Sequence, residues 1–111
     1  MTACAFCKII ERKLPAEIVY EDDLILAFKD IHPQAPTHIL LIPKEHIPTI
    51  EEAQPELIGK LVAKASELAK QAGISEKGYR VVVNCREHAG QSVYHLHFHL
   101  LGGRWFSWPP G

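Results

Sequence analysis

The chain of 111 residues holds only three cysteines and one methionine, no surplus of either charge and no long apolar run. An odd cysteine count without a paired pattern excludes a disulfide-stapled scaffold. Cys4 and Cys7 are therefore better read as thiols or metal ligands, and Cys85 as a small residue near a strand end. Twelve Lys and Arg stand against 13 Asp and Glu, with no basic cluster, so no nucleic-acid or acidic-membrane partner is expected. Any nucleotide would be bound in a pocket. No segment approaches the roughly 18 apolar residues of a membrane span, and Met1–Lys8 lacks the charged and apolar stretches of an export signal. The expectation is a soluble cytoplasmic protein. There is no internal repeat, low-complexity segment or linker. At 47% hydrophobic residues a single domain over 1–111 is expected, small enough that subunit association would help complete its core.

Periodicity supplies the elements. Ala5 to Lys13 reads as a short helix with an apolar stripe of Phe6, Ile9 and Ile10, stopped near Pro15. Ile18 to Tyr20 and Leu24 to Phe28 are β-rich runs flanking Glu21-Asp22-Asp23, and His38 to Ile42 is a third strand ending at Pro43. The clearest helix opens at Gln54-Pro55 and carries Leu57, Ile58, Leu61, Val62, Ala65, Leu68 and Ala69 to a stop at Gly73. Tyr79 to Asn84 and Tyr94 to Leu101 add two strands. The connection between them, Cys85 to Ser92, is too long for a tight hairpin and is where a ligand is expected. The pattern predicts an α+β domain: a five-stranded antiparallel sheet with one long and one short N-terminal helix.

Within the last strand His95, His97 and His99 alternate with Leu96, Phe98 and Leu100. Alternation puts three imidazoles on one face and three apolar side chains on the other. Imidazole attacks, donates or shuttles protons near neutral pH. Spacing makes the middle one, His97, best placed to reach a reacting atom, with His99 beside it. A metal site, acid/base or nucleophilic catalysis, and a solvated histidine face all fit that pattern.

The run His95-Leu96-His97-Phe98-His99-Leu100-Leu101 resembles the histidine-triad (HIT) signature. The resemblance extends through residues 30–38, 42–47, 78–84 and 90–94, and closes with Trp108-Pro109-Pro110-Gly111. Together these resemble the Hint branch, homodimeric purine nucleoside phosphoramidases. The resemblance implies that His97 attacks the phosphorus of an adenosine phosphoramidate, or of an aminoacyl adenylate, and forms a nucleotidyl-histidine that water hydrolyses to the monophosphate. It further implies that His99 stabilises the phosphoryl oxygens, that His38 orients His97, and that Ser92 lies on the leaving-group side. Asn84, Gly90, Gln91 and Ser92 would hold phosphate, Asp30 the ribose hydroxyls, and Phe6, Ile9, Phe28, Ile31 and Leu40 the base. Taken alone, Asp30 equally fits a turn cap, Asn84 a strand end, His38 an interior histidine, and Phe28 and Leu40 the core. His32 and His88 read as exposed loop residues.

Some members of the wider superfamily bind structural zinc through a cysteine pair, a further histidine and the first triad histidine, which here means Cys4, Cys7, His46 and His95. The Cys-x-x-Cys spacing lets both thiolates reach one ion. No organic cofactor is expected. The homodimer is implied by the resemblance, and the tail Trp105-Phe106-Ser107-Trp108 fits either a subunit contact or intramolecular packing. Two rival readings are a dinucleoside polyphosphate hydrolase (the Fhit-like branch), disfavoured by Gly102-Gly103 and the Trp-Pro-Pro-Gly end, and a nucleotide-binding scaffold with incidental hydrolysis.

Overall fold

The computed structural model describes residues 4–111. Its elements are α1 (Ala5–Ile10), β1 (Ile18–Glu21), β2 (Ile25–Lys29), β3 (Thr37–Pro43), α2 (Pro55–Gln71), β4 (Tyr79–Val83) and β5 (Phe98–Gly102). Single 3₁₀ turns occupy Ile50–Glu52 and Glu87–Ala89. The strands form one antiparallel sheet in the order β1-β2-β3-β5-β4, the architecture the periodicity predicts.

Both faces of the sheet are covered, which explains why β2 and β3 read as nearly unbroken apolar runs. On one face Ile25, Ala27, Ile39, Leu41, Leu96, Phe98 and Leu100 pack against Leu61, Ala65, Leu68 and Ala69 of α2. On the other, Leu26, Phe28, Leu40 and Ile42 pack against Phe6 and Ile9 of α1. Each fully buried Leu or Ile contributes about 1.5–3 kcal/mol.

Local chemistry sets the boundaries. Asp22 Oδ1 accepts from the amides of Leu24 and Ile25, both at 2.8 Å, and turns β1 into β2. Gly73, at φ +76°, ends α2 with the Ile74 amide donating to the Ala69 carbonyl. The same motif ends α1 earlier than the expected Lys13: Arg12 takes φ +63° and the Lys13 amide donates to the Lys8 carbonyl. Hydrogen bonding within residues 8–13, three residues ahead of Pro15, therefore stops the first helix. Gly102 lacks room for a side chain, since a Cβ there would lie 2.5 Å from Ile74 Cδ1.

The last strand departs most from expectation. It begins at Phe98, not Tyr94, because the preceding chain bonds sideways to the segment after β3: the Leu96 amide donates to the Ile47 carbonyl at 2.7 Å. Only His99 of the three alternating histidines lies within a strand. The alternation of faces survives, with Leu96 and Phe98 in the α2-facing core.

Candidate functional site

The register brings the site together. Leu40 pairs with His99 and Val82 with His99 from the other side. Beyond the last β4–β5 pair, Val83 with Phe98, the next residues are Asn84 and His97. Alternation places Asn84 on the histidine face. His97 and His99 lie with ring centres 5.0 Å apart, and His38 and His99 at 5.2 Å.

Neighbouring groups assign each ring its tautomer. His97 Nδ1 lies 2.8 Å from the His95 carbonyl and so carries the proton, leaving Nε2 as a bare lone pair. His95 Nε2 lies 2.8 Å from the Pro43 carbonyl, leaving its Nδ1 bare. The Gln34 amide donates to His38 Nδ1 at 3.0 Å, so His38 carries its proton on Nε2 and donates it to His99 Nδ1 at 2.9 Å. His99 therefore presents an Nε2–H. One ring offers a nucleophile, its neighbour a donor. His38 serves His99 and not His97, contrary to the role the resemblance implies; the His95 backbone holds His97.

Burial keeps these rings neutral. Desolvation lowers the pKa of His97 against the opposing pull of the His95 carbonyl and Asp30. His99 is pushed down to about 4 by burial first, then by His97 and His38. Burial likewise lowers His38 and His95. An unprotonated imidazole is the form able to act as a nucleophile.

Asp30 plays the turn-capping part, accepting from the His32 amide at 2.8 Å on Oδ1, while Oδ2 lies 3.4 Å from His38 Nε2. Phe6, Ile9, Phe28 and Leu40 are at most 9% exposed and belong to the second apolar cluster, whereas Ile31 is 79% exposed. The open apolar surface is thus Ile31. Asn84 and Cys85 are half-buried; Gly90, Ser92, His32 and His88 are exposed. Gln91 is buried and its amide is spent on the chain: Oε1 accepts from the Arg86 amide, and Nε2 donates to the carbonyls of Pro48 and Val93. That side chain is not arranged to meet a nucleotide. Two surface cavities of about 410 and 460 Å³ flank α2, and neither is lined by His97 or His99.

A second constellation lies behind the first. One ligand atom from each of Cys4, Cys7, His46 and His95 falls within 4.8 Å of the others. His95 Nδ1 is 3.5 Å from Cys4 Sγ and 3.7 Å from Cys7 Sγ, and His46 Nδ1 is 3.2 Å from Cys7 Sγ. Sulfur and nitrogen bound to one tetrahedral zinc stand about 3.6 Å apart. The donor set fits, and His95 has the bare Nδ1 and the backbone-anchored Nε2–H that metal-bound imidazoles show. The Phe6 ring packs edge-on against both His95 and His97, at 5.8 and 5.1 Å. Asp30, His38 and His99 also converge. Their 2.9 Å nitrogen–nitrogen contact is a hydrogen bond that needs its proton, shorter than the roughly 3.3 Å across a tetrahedral ion.

Sequence reasoning missed the carbonyls of Pro43 and Ile47, the Gln34 amide and the Gln91 bonds, which side-chain patterns do not announce. The capping box Thr49–Glu52, which ends in the Glu52 carboxylate accepting from the Thr49 amide at 2.9 Å, is legible as Thr-x-x-Glu.

An antiparallel sheet that sets neutral, tautomer-locked histidines on one face beside a glycine-bearing loop defines the class of histidine-triad domains. The HIT domain model matches residues 11–105, and the chain belongs to the HIT family. It is 53% identical over 102 residues to the purine nucleoside phosphoramidase of Escherichia coli K12, covering 89% of this chain and 86% of that protein. It is 52% identical to the 14 kDa zinc-binding protein of Zea mays, over 96% and 86% of the two chains. A solved HIT family hydrolase from Legionella pneumophila matches with a TM-score of 0.94 at 53% identity, covering 97% of this chain and 99% of that one.

Proposed function

We propose that the protein hydrolyses purine nucleoside 5′-phosphoramidates such as adenosine phosphoramidate, and with them the acyl–phosphate anhydride of aminoacyl adenylates, whose carboxylate leaves in place of the amine. The observation that carries this reading is the Nδ1–H bond of His97 to the His95 carbonyl, which leaves Nε2 bare beside the Nε2–H of His99. His97 Nε2 attacks phosphorus, the P–N bond breaks, and the amine leaves with a proton that solvent water supplies through the exposed Ser92 hydroxyl, which is reprotonated as it donates. Water then attacks the nucleotidyl-histidine, the P–His97 bond breaks, and the monophosphate is released. His99 bonds the phosphoryl oxygens as their charge grows, a role that a neutral N–H donor fills without a buried cation. Asn84 and the backbone amide of Ser92 cradle the same oxygens, the amides of Gly90 and Gln91 being spent on the Glu87 and Arg86 carbonyls. Asp30 accepts from the ribose hydroxyls, and the base lies against Ile31 and the edges of Phe6, Ile9, Phe28 and Leu40. The E. coli relative's activity supports this substrate class.

Two further parts belong to the reading. Cys4, Cys7, His46 and His95 hold a structural zinc, supported by the fitting donor distances and the zinc-binding relative. Bound there, the ion would tie α1 to the sheet; all four positions are filled by protein and none is left for substrate. The chain pairs as a homodimer through β4, which has no paired strand on its outer side among the described residues and exposes Val81, with Trp105 and Trp108 adding exposed aromatic surface.

The test incubates the protein with a fluorogenic adenosine phosphoramidate and with a diadenosine polyphosphate, and measures intact mass on wild type and His97→Ala. We expect phosphoramidate turnover and an AMP adduct, both lost in His97→Ala. Undiminished activity in that variant overturns the nucleophile assignment, faster polyphosphate turnover favours the rival hydrolase, and binding without turnover favours the scaffold.

A further inference from the structure

We propose that Gln91 is a positioning residue that keeps the loop over 84–92 in its phosphate-receiving shape by fastening Arg86 in a left-handed backbone conformation. The inference rests on the phosphoramidase reading above for what the loop receives. Arg86 adopts φ +69° and ψ −166°, a combination that L-residues rarely take and that persists only where surroundings enforce it. Gln91 closes on it from both sides: Oε1 accepts from the Arg86 amide at 2.8 Å, and the Gln91 amide donates to the Arg86 carbonyl at 3.1 Å.

The same side chain anchors the loop to fixed chain. Nε2 donates to the Pro48 carbonyl at 2.8 Å and to the Val93 carbonyl at 3.1 Å, two residues before His95. Both amide hydrogens are thereby used, and the residue is only 8% exposed. Arg86 adds a second tie to the neighbouring turn, its guanidinium lying 3.5 Å from Glu52 and 3.8 Å from Glu51. Between these anchors stand the 3₁₀ turn and Gly90, which takes φ +77° without strain. Gln91 therefore acts on substrate through the backbone of Ser92 and not through its own amide, the Gly90 amide being spent on the Glu87 carbonyl. A shift of about 1 Å in groups that hold a reacting phosphoryl costs roughly a hundredfold in rate.

The experiment compares wild type, Gln91→Met, Arg86→Gly and the double variant. Gln91→Met keeps side-chain length and removes all three side-chain bonds, leaving the backbone bond to the Arg86 carbonyl in place. We expect kcat/KM on adenosine phosphoramidate to fall roughly 10- to 100-fold, with amide exchange at Gly90 to Ser92 faster by at least about tenfold and α2 unchanged. Arg86→Gly accepts the left-handed backbone without enforcement, so the double variant should recover several-fold of the lost kcat/KM. Unchanged loop exchange in Gln91→Met, a rate within twofold of wild type, or a double variant no better than Gln91→Met overturns the proposal. If Gln91→Met does not fold, Gln91→Asn is too short to span both anchors and gives the same readouts. Loop exchange that responds as expected in a protein whose wild type hydrolyses no phosphoramidate overturns the substrate reading instead and leaves the positioning role standing.

Discussion

Replacing Gly102 by alanine tests how tightly β5 is pressed against the turn after α2. Gly102 pairs with Thr37 on β3 and with Tyr79 on β4, so the strand cannot move aside without breaking a ladder. A Cβ at this position would lie 2.5 Å from Ile74 Cδ1, 3.0 Å from its Cβ and 3.1 Å from its Cγ2. Relaxed carbon pairs sit near 3.5–4.0 Å. Rotating Ile74 removes the first clash but not the second, and Ile74 is itself held by backbone bonds to Ala69 and Gly78. Overpacking of this kind costs about 1–3 kcal/mol. For a domain of this length that is a fall in Tm of roughly 5–15 °C by calorimetry. Ile74→Ala, made in the Gly102→Ala background, should be less damaging than in wild type by about 1 kcal/mol. A Tm unchanged by Gly102→Ala, or strictly additive losses in the double variant, refutes the steric account.

Other outcomes follow from the site. Because burial lowers the pKa values of His97 and His99, kcat/KM should stay level from pH 8 down past the ordinary imidazole value of about 6.5 and fall only on further acidification. Stability should fall over the same range: with the folded value of His99 near 4 and the unfolded value near 6.5, the unfolded chain binds more protons between them. His99 alone contributes at most about 3 kcal/mol to that loss, and urea titrations at pH 7 and 5 that show stability rising on acidification contradict it. Native mass spectrometry after zinc-replete expression should show one zinc per chain, lost in Cys7→Ser; a metal-free wild-type chain removes the zinc reading. Val81→Lys, placed in the open edge of β4, should shift light scattering from dimer to monomer, and an unaltered dimer mass shows that the pairing lies elsewhere.

The sheet and the long helix were legible because their signals are local. Short, nearly unbroken apolar runs mark β2 and β3, and Pro55 and Gly73 punctuate α2 in the manner their backbone chemistry requires. The convergence of Cys4, Cys7, His46 and His95, and of His38 with His99, was legible for a different reason, since their types and spacing resemble a known family. Their partners were not. His97 is oriented by a carbonyl, His38 by an amide, and the late start of β5 by a bond from Leu96 to Ile47, and backbone groups occur at every position. The expected length of α1 failed similarly, because arginine at position 12 occupies a conformation that sequence rules reserve for glycine.

His95 makes three kinds of bond at once: its Nδ1 faces the two sulfurs, its Nε2 anchors to Pro43, and its carbonyl holds His97. A mutational scan would therefore score it alongside His97, the proposed nucleophile, although its own ring is fully buried. The carbonyl belongs to the peptide and survives every substitution, so damage in a His95 variant would measure how far the main chain drifts once the ring lets go. Variants of Cys7 or His46 leave that peptide untouched. They, and not His95, can separate the upkeep of the N-terminal helix from the aim of the His97 ring.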